Sequence, residues 1–171
     1  MIGQSYCGGL IQTPDGGRVS LIKDLYISNK TRNPKVKGKN EFVNNVVYNW
    51  GVSGFVGGHS AENHYQDVIN NYFIAGPNSN ENFLAMFTTT DHVYHQGNYV
   101  DMNKDGILNG RLVVDSDFVS KKVKPAIIVD SNSVKGATLK NELNFKLNIK
   151  VDAAADAYDP FEEYYEEDEV T

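Results

Sequence analysis

A short segment near the N-terminus concentrates the side chains best suited to chemistry on a charged substrate. Five cations fall within ten residues with no acid among them: Lys30, Arg32, Lys35, Lys37 and Lys39. Pro34 excludes a helix interior, because it lacks the backbone N–H and biases the preceding residue toward an extended conformation. On a strand, Lys35, Lys37 and Lys39 would share one face, since they are spaced by two. The segment therefore predicts a rigid positive surface that binds a polyanion.

The charge of the whole chain hides this basic surface. The 171 residues carry 22 acids and 16 Lys and Arg, a net charge of −6. Nine of the acids lie in residues 151–171, which hold no Lys or Arg, so the remaining body is positive. The length predicts one domain with a sizeable core, followed by an acidic tail.

Four segments of the chain repeat one pattern of an apolar pair, two polar turn residues and an apolar triple. They are Ser20–Ile27, Glu41–Tyr48, Asp67–Ile74 and Val93–Val100. Their reference residues Asp24, Asn45, Asn71 and Asn98 recur after 21, 26 and 27 positions. Runs this short do not fit helical repeats, and the period favours an all-β solenoid, a parallel β-helix.

Asparagine at the recurrent turn tolerates left-handed backbone angles, and its amide can bond to the equivalent residue in the next coil. We therefore expect Asn45, Asn71 and Asn98 to stack over one another. The alternative is a set of unrelated hairpins with Asn turns. Hairpins favour Asn-Gly or Asp-Gly in their turns, and the paired asparagines do not fit that rule.

The sequence VSLIKDLYISNKTRNPKVKGKNEFVNNVVYNWG (residues 19–51) resembles the core of pectate lyases of the right-handed parallel β-helix type. That family carries an Arg-x-Pro-x-x-Arg motif at the start of a coil, read here as Arg32 to Lys37. The likeness extends through VINNYFIAGPNS and GNYVDMNKDGILNGR, and upstream into GQSYCGGLIQTPDG. It covers about residues 2–118 and implies a right-handed parallel β-helix that is incomplete at its N-terminus.

The resemblance implies an extracellular enzyme that cleaves polygalacturonate by calcium-dependent β-elimination. By the motif match, Arg32 is the base that takes the proton from carbon 5 of the uronate. Lys37 stands where the family has a second arginine that grips a substrate carboxylate, and Lys30 and Lys35 add positive charge at the substrate. Arginine is protonated in nearly every protein setting, so this role requires neighbouring cations that lower its pKa. The alternative is that Arg32 only binds an anion or pairs with a surface acid.

Two departures from the family pattern bear on activity. Lysine at position 37 is a point charge, whereas arginine offers carboxylate a two-pronged fork. The family's calcium-binding acids and one lysine lie mainly in coils before the motif, and Cys7 falls near the place of that lysine. The sequence is thus expected to be the C-terminal portion of such an enzyme, with a missing N-terminal half as its partner. Alone, it is expected to be weakly active or inactive.

A second candidate site is the stretch from Asp101 to Asn109. Oxygen-bearing side chains stand at loop positions 1, 3, 5 and 9, as Asp101, Asn103, Asp105 and Asn109, with Gly106 at position 6. This spacing resembles most of an EF-hand calcium loop. The bidentate acid of position 12 is replaced by Leu112, and only Asp115 or Asp117 could substitute for it. The alternative is a plain turn rich in Asn and Asp.

The remaining single residues carry weaker expectations. Cys7 is the only cysteine and is expected to be a buried small hydrophobe, so no internal disulfide forms. The four histidines lack metal-ligand spacing. Trp50, at the exit of a coil beside Gly51, is the best candidate for an aromatic ring that faces a sugar, whereas the other aromatics are expected to stack in the core.

The sequence divides into β-helix coils over residues 1–118, an extension over 119–150 that packs on the solenoid, and an acidic tail over 151–171. Pro125–Val129 and Glu142–Val151 alternate enough to predict strands. The tail predicts a short helix at most. The N-terminus of the sequence lacks a charged-then-apolar signal peptide, which predicts either a cytoplasmic chain or a piece whose targeting segment lies elsewhere. No apolar run approaches the length of a membrane span.

Two functions remain open on the sequence. The first is a pectate lyase-type protein that acts on acidic polysaccharide. The second is a non-catalytic β-helix module whose basic groove binds a uronate polymer. Nucleic-acid binding is disfavoured, because no exposed aromatic residues are interleaved with the bases.

Overall fold

Sixteen strands and two short helical segments form the described part of the chain, which the computed structural model gives as residues 5–14, 17–119 and 136–158. The strands of the first two coils are β1 Ser5–Cys7, β2 Leu10–Gln12, β3 Arg18–Ile22, β4 Leu25–Ile27, β5 Asn29–Thr31, β6 Lys35–Lys37, β7 Lys39–Val43 and β8 Val46–Tyr48. Those that follow are β9 Phe55–Val56, β10 His64–Ile69, β11 Tyr72–Ile74, β12 Leu84–Ala85, β13 Asp91–Gln96, β14 Tyr99–Asp101, β15 Arg111–Leu112 and β16 Thr138–Leu139. A 3-10 helix spans Asp115–Phe118, and helix α1 spans Ala154–Tyr158.

Three parallel sheets run the length of the solenoid. Their strand orders are β2-β6-β9-β12, β3-β7-β10-β13-β16 and β4-β8-β11-β14-β15, and β1 pairs with β5 in a short fourth sheet. All pairings are parallel except β14 with β15. Each strand therefore stacks on the same strand of the next coil, and the predicted parallel β-helix is confirmed.

The strand register matches the predicted repeats with one correction. Ser20 pairs with Glu41, and Glu41 pairs with Asp67, as the repeated pattern requires. Asp67 pairs with Tyr94 rather than Val93, so the fourth repeat begins one residue later than expected.

The predicted asparagine ladder, Asn45, Asn71 and Asn98, is confirmed. Asn71 Oδ1 accepts hydrogen bonds from the backbone N–H and the side-chain amide of Asn45, at 2.8 and 3.1 Å. Asn98 Oδ1 accepts the same pair of bonds from Asn71, at 3.0 and 2.8 Å. The three residues are at most 1% exposed, so their side-chain amides satisfy backbone N–H groups that water cannot reach.

The solenoid interior is filled by side chains at alternate strand positions. The rings of Phe42 and Phe55 stack with centroids 4.5 Å apart, and Phe87 packs against Phe55 at 5.8 Å. The buried cluster consists of Val36, Phe42, Val47, Trp50, Phe55, Val68, Phe73, Ala75, Phe83, Leu84, Phe87, Val93, Val100, Val113 and Phe118. This core fixes which residues of each strand point outward.

The C-terminal extension contacts the outside of the coils. Asn144 bonds Asp67 through its backbone N–H and its side chain, both at 2.9 Å. The backbone carbonyl of Asp152 accepts from the side chains of Asn44 and Asn70, both at 2.7 Å, and its carboxylate pairs with Lys23 at 2.7 Å. The domain boundaries themselves stay a prediction.

Two expectations about this region have different outcomes. Residues 142–151 hold no strand and are held by side-chain contacts instead, so the strand predicted for Glu142–Val151 is wrong. Pro125–Val129 lies outside the described residues. The short helix predicted for the tail is present as α1, which packs against β11. No helix in the described residues is long and apolar enough to cross a membrane.

Candidate functional site

The loop Thr31–Pro34, which carries the arginine of the predicted motif, is held between two neighbouring coils. On one side, Gly8 N–H donates to the carbonyl of Thr31 at 3.0 Å, and Gly9 N–H donates to the carbonyl of Arg32 at 2.9 Å. A Cβ on Gly8 would lie 2.8 Å from the Arg32 carbonyl, so only glycine permits this close approach.

On the other side, the loop is held by the coil that follows. The buried Asn33 donates from its backbone to the Gly54 carbonyl at 2.9 Å and from its side chain to the Ser53 carbonyl at 3.0 Å. Thr31 Oγ1 lies 2.6 Å from Ser53 Oγ. Arg32 adopts a left-handed φ of 56°, and its side chain is partly exposed. The backbone bonds thus fix the position from which the guanidinium projects.

Within the described residues no ion pair joins Arg32 to an acid. This favours a role toward an external anion over the alternative of a surface salt bridge.

Strand β6 places Lys35 and Lys37 on the outer face of the solenoid, since Val36 between them is wholly buried in the core. Lys37 is partly exposed and lines a cleft of about 190 Å3, together with His64 and Glu62. Lys37 thus lines an open cleft on the outer face of the solenoid.

Lys35 does not have that access. It is only 6% exposed, and its Nζ lies 2.7 Å from Nδ1 of His59. The expectation that Lys35 contacts substrate is therefore corrected: a side chain from the next coil covers it.

Two other cations of the segment lie apart from this face. Lys39 begins β7, because Gly38, at a φ of 141°, ends β6 and turns the chain into another sheet. The expected row of three lysines on one strand is thus reduced to two. Lys30 is exposed on β5, and its ammonium lies over the Tyr6 ring at 5.4 Å, so its contact with substrate stays a prediction.

Two histidines complete the basic cluster, defined here as Arg32, Lys35, Lys37, His59 and His64. Burial lowers the pKa of Lys35 to about 8, and the charges of Lys37 and Arg32 act in the same direction. Burial and the lysines lower the pKa of both His59 and His64 to about 4. Both imidazoles are therefore neutral near pH 7.

The acid that acts on this cluster is Asp91, which is wholly buried. Its Oδ1 accepts from Gly58 N–H at 2.9 Å and its Oδ2 from Thr88 N–H at 2.9 Å, while the Gln66 amide adds a third bond at 3.2 Å. Burial raises the pKa of Asp91 to about 6. Both carboxylate oxygens of Asp91 are buried and accept hydrogen bonds from the protein. Asp91 is therefore not placed to hold a calcium ion that also contacts a substrate.

Trp50 does not face a sugar. It is wholly buried in the core, and its indole N–H donates to the Asn80 carbonyl at 3.0 Å. The expectation of a sugar-facing ring at Trp50 is wrong, because the ring turns into the solenoid where it fills core volume.

Cys7, which the sequence analysis expected to be buried, is instead partly exposed.

The second candidate site, the loop from Asp101 to Asn109, brings its four oxygen-bearing side chains together. Asn103 N–H donates to Asp101 Oδ1 at 3.2 Å, and Asp105 N–H donates to Asn103 Oδ1 at 3.1 Å. The Asn109 side chain closes the loop, with its Oδ1 2.6 Å from Asn103 Nδ2 and its Nδ2 3.1 Å from Asp105 Oδ2. Gly106 takes a positive φ of 81° at the sharp turn.

No further acid reaches this loop from the two expected substitutes. Asp115 lies 2.8 Å from His95 Nε2, and Asp117 forms a two-pronged pair with Arg111 at 2.8 and 2.9 Å. Their use as a replacement for position 12 would require the loop to bend away from this conformation. In the described ranges no group of three or more His, Cys, Asp or Glu side chains could hold a metal ion.

A larger cleft of about 780 Å3 lies between this loop and the outer face of β4, β8 and β11. Its walls are mainly apolar, including Leu25, Ile27 and Ile107, and it contains no member of the basic cluster. This cleft and the residues suited to polyanion chemistry are thus on different parts of the surface.

Comparison with known proteins finds relatives named "Probable pectate lyase C". The protein of Aspergillus fumigatus is 56% identical over 105 residues, which is 61% of this chain and 24% of the relative. That of Aspergillus flavus is 54% identical over 124 residues, 68% of this chain and 29% of the relative. That of Emericella nidulans is 53% identical over 104 residues, 61% of this chain and 24% of the relative.

The chain spans about a quarter of the length of these relatives. No family model matches the chain, and no solved structure matches it. Identity above half over such a stretch, together with the parallel β-helix, confirms the resemblance noted in the sequence. The matched part of the chain is thus similar to a segment of proteins named as probable pectate lyases.

Proposed function

We propose that this chain carries the base-bearing coils of a lyase that cleaves polygalacturonate by β-elimination. The observation that supports this most is the partly exposed Arg32, held between two coils by backbone bonds and flanked by Lys37. No acid of the described residues neutralises Arg32 through an ion pair, so an external carboxylate is its natural counter-charge. The printed names of the relatives agree with a pectate substrate.

The proposed reaction uses two basic residues in different roles. Lys37 binds a uronate carboxylate and withdraws charge from it. Arg32 acts as the base and takes the proton on carbon 5, the electron pair forms the new carbon–carbon double bond, and the bond from carbon 4 to the glycosidic oxygen breaks. The leaving oxygen takes up a proton from water, Arg32 returns its proton to water, and one product carries an unsaturated uronate. Positive charge around Arg32 stabilises the carboxylate as negative charge develops on it.

Calcium dependence is general among pectate lyases, but the described residues around Arg32 do not form a calcium site. Asp91 is the acid whose charge reaches the cluster, and its oxygens already accept hydrogen bonds from the protein. We therefore assign no step of the reaction to calcium held by these residues.

The loop from Asp101 to Asn109 fits calcium better, and we propose that it binds this ion structurally. Two carboxylates and two amides converge there, and calcium prefers oxygen ligands of this kind. The amide nitrogens that now point into the loop would rotate outward so that their oxygens face the ion. With no bidentate acid in the set, we expect weak binding.

An extracellular location is part of the same proposal. Pectic polysaccharide lies outside the cell that secretes such an enzyme, and the resemblance implies secretion.

The competing function is a binding module that holds the polymer without cutting it. Polygalacturonate and its methyl ester distinguish charge recognition from other sugar contacts, because esterification removes the carboxylates. We expect the chain to bind the acid form, to bind the ester much more weakly, and to lose roughly tenfold in affinity in Lys37→Ala. Equal binding of both polymers would refute the proposed site.

Ultraviolet absorbance of the unsaturated product then separates the lyase from the binding module. Binding without product at any calcium concentration would favour the module.

A further inference from the structure

The turn after β9 reaches across the outer face of β6. His59 lies in this turn with a positive φ of 37°, and its ring covers the Lys35 ammonium. Lys35 Nζ is 2.7 Å from His59 Nδ1 and 3.3 Å from His59 Nε2. The Gly57 carbonyl lies 3.3 Å from Nδ1. With the ring proton on Nε2, Nδ1 accepts a hydrogen bond from the Lys35 ammonium at the shorter distance, and this is the tautomer that the geometry favours.

This turn is held in place from inside the solenoid. The Asp91 carboxylate accepts the backbone N–H of Gly58 at 2.9 Å and also bonds the backbone of His59. Gly58 packs so closely on His64 that a Cβ there would lie 2.0 Å from the His64 ring. The backbone that carries His59 thus has little freedom to move away from Lys35.

The contact leaves a buried cation whose charge is not cancelled by an ion pair. Lys35 is 6% exposed, and among the described residues it forms no salt bridge with an acid. A neutral imidazole satisfies one of its protons but removes none of its charge. The charge of Lys35 therefore acts on Arg32 and Lys37 through space, over a short and partly buried path.

We propose that His59 is a positioning residue that holds the Lys35 ammonium in place within the basic cluster and thereby maintains the positive potential of that cluster. Lys35 contributes charge and does not contact the polymer. The inference rests on the proposed function for its catalytic meaning, but the contact between His59 and Lys35 can be tested without turnover.

The charged groups around Lys35 define the pH range in which a charged Lys35 faces a neutral His59. Lys37 and Arg32 lie on its own element and the loop before it, His59 on the turn after β9, and Asp91 on β13. The pKa of His59 is about 4 and that of Lys35 about 8. Between these values a charged Lys35 faces a neutral His59, whereas above about 8 the cluster loses one positive charge.

The decisive experiment is an NMR titration of the lysine side chains in the full chain, with Lys35 assigned by its loss in Lys35→Met. Wild type and two variants are compared: His59→Gln keeps an acceptor for Lys35, and His59→Leu keeps the bulk but removes it. We expect Lys35 to titrate near 8 in wild type. We expect a similar value in His59→Gln and a fall of about one unit or more in His59→Leu, because the buried ammonium loses its partner. An unchanged Lys35 titration in His59→Leu would overturn the inference.

Failure of this inference and failure of the proposed function give different results. If Lys35 responds to His59→Leu while wild type neither binds nor cleaves polygalacturonate, the contact stands and the proposed function falls. If wild type binds and cleaves the polymer but the titration of Lys35 is unchanged in both variants, the proposed function stands and His59 has no positioning role.

Discussion

Replacing the central residue of the asparagine ladder gives a large and calculable loss of stability. Asn71 Oδ1 accepts two bonds from Asn45, and Asn71 Nδ2 donates to Asn98 Oδ1 and to the Phe42 carbonyl, both at 2.8 Å. Asn71→Ala removes all four bonds. It leaves the Asn45 N–H without its acceptor in a place that water does not reach.

Four hydrogen bonds at about 1 kcal/mol each, with the added cost of a buried unsatisfied donor, give a loss of roughly 4–6 kcal/mol. For a chain of this length that corresponds to a fall in melting temperature of roughly 10 °C or more. Urea denaturation followed by circular dichroism measures the loss directly. Asn78→Ala is the matched control, because the Asn78 side chain is exposed, and it should stay within about 0.5 kcal/mol of wild type. A loss in Asn71→Ala no larger than in this control would show that the ladder does not stabilise the coils.

Three further predictions concern other parts of the chain. Millimolar calcium should raise the melting temperature, since the ion binds only the folded loop, and Asp105→Ala should abolish that gain; an equal gain in the variant would reject the site. Stability should fall as pH drops from 6.5 toward 4, because the folded protein holds the pKa of His64 near 4 and the unfolded chain takes up the proton first. Asp91, whose pKa is raised, offsets part of this fall, and urea denaturation of His64→Gln should show a shallower pH dependence; an unchanged slope would contradict it. Gly8→Ala should destabilise the fold and weaken polygalacturonate binding together, because its Cβ would displace the Arg32 carbonyl, whereas retained binding would show that the loop tolerates the shift.

The repeats were predictable because coil stacking imposes a spacing that the sequence displays. Asn45, Asn71 and Asn98 recur at the coil length, and their side chains can satisfy the backbone only if they stack. The position of Arg32 at the start of a coil came instead from the resemblance to pectate lyases. Local patterns that recur with a period thus translate into the fold with little ambiguity.

The side chains that cover the basic cluster could not be predicted from local spacing. His59 lies 24 residues after Lys35, and only the pairing of Lys35 with Val56 in the next coil brings the two together. Adding the length of one coil to the residue number of each lysine would have identified the turn after β9 as the segment that lies next to them. Trp50 was misplaced for a related reason: its position beside Gly51 marks a coil exit but does not say which way the ring turns.

The strand break at Gly38 was missed because alternation was extended across a glycine. Lys39 keeps the spacing of Lys35 and Lys37 in sequence, but a backbone φ of 141° at Gly38 sends it into a different sheet. A glycine inside a strand pattern is a signal for such a turn.

The most direct test of the central claim is elimination of polygalacturonate by the full chain at high protein concentration, with Arg32→Lys measured beside wild type. The account predicts slow formation of the unsaturated product by wild type, followed by its ultraviolet absorbance. It predicts a rate on the order of a thousandfold lower in Arg32→Lys, because the lysine amine does not occupy the place of the Arg32 guanidinium. Product formed at the same rate by both proteins would contradict the assignment of Arg32 as the base.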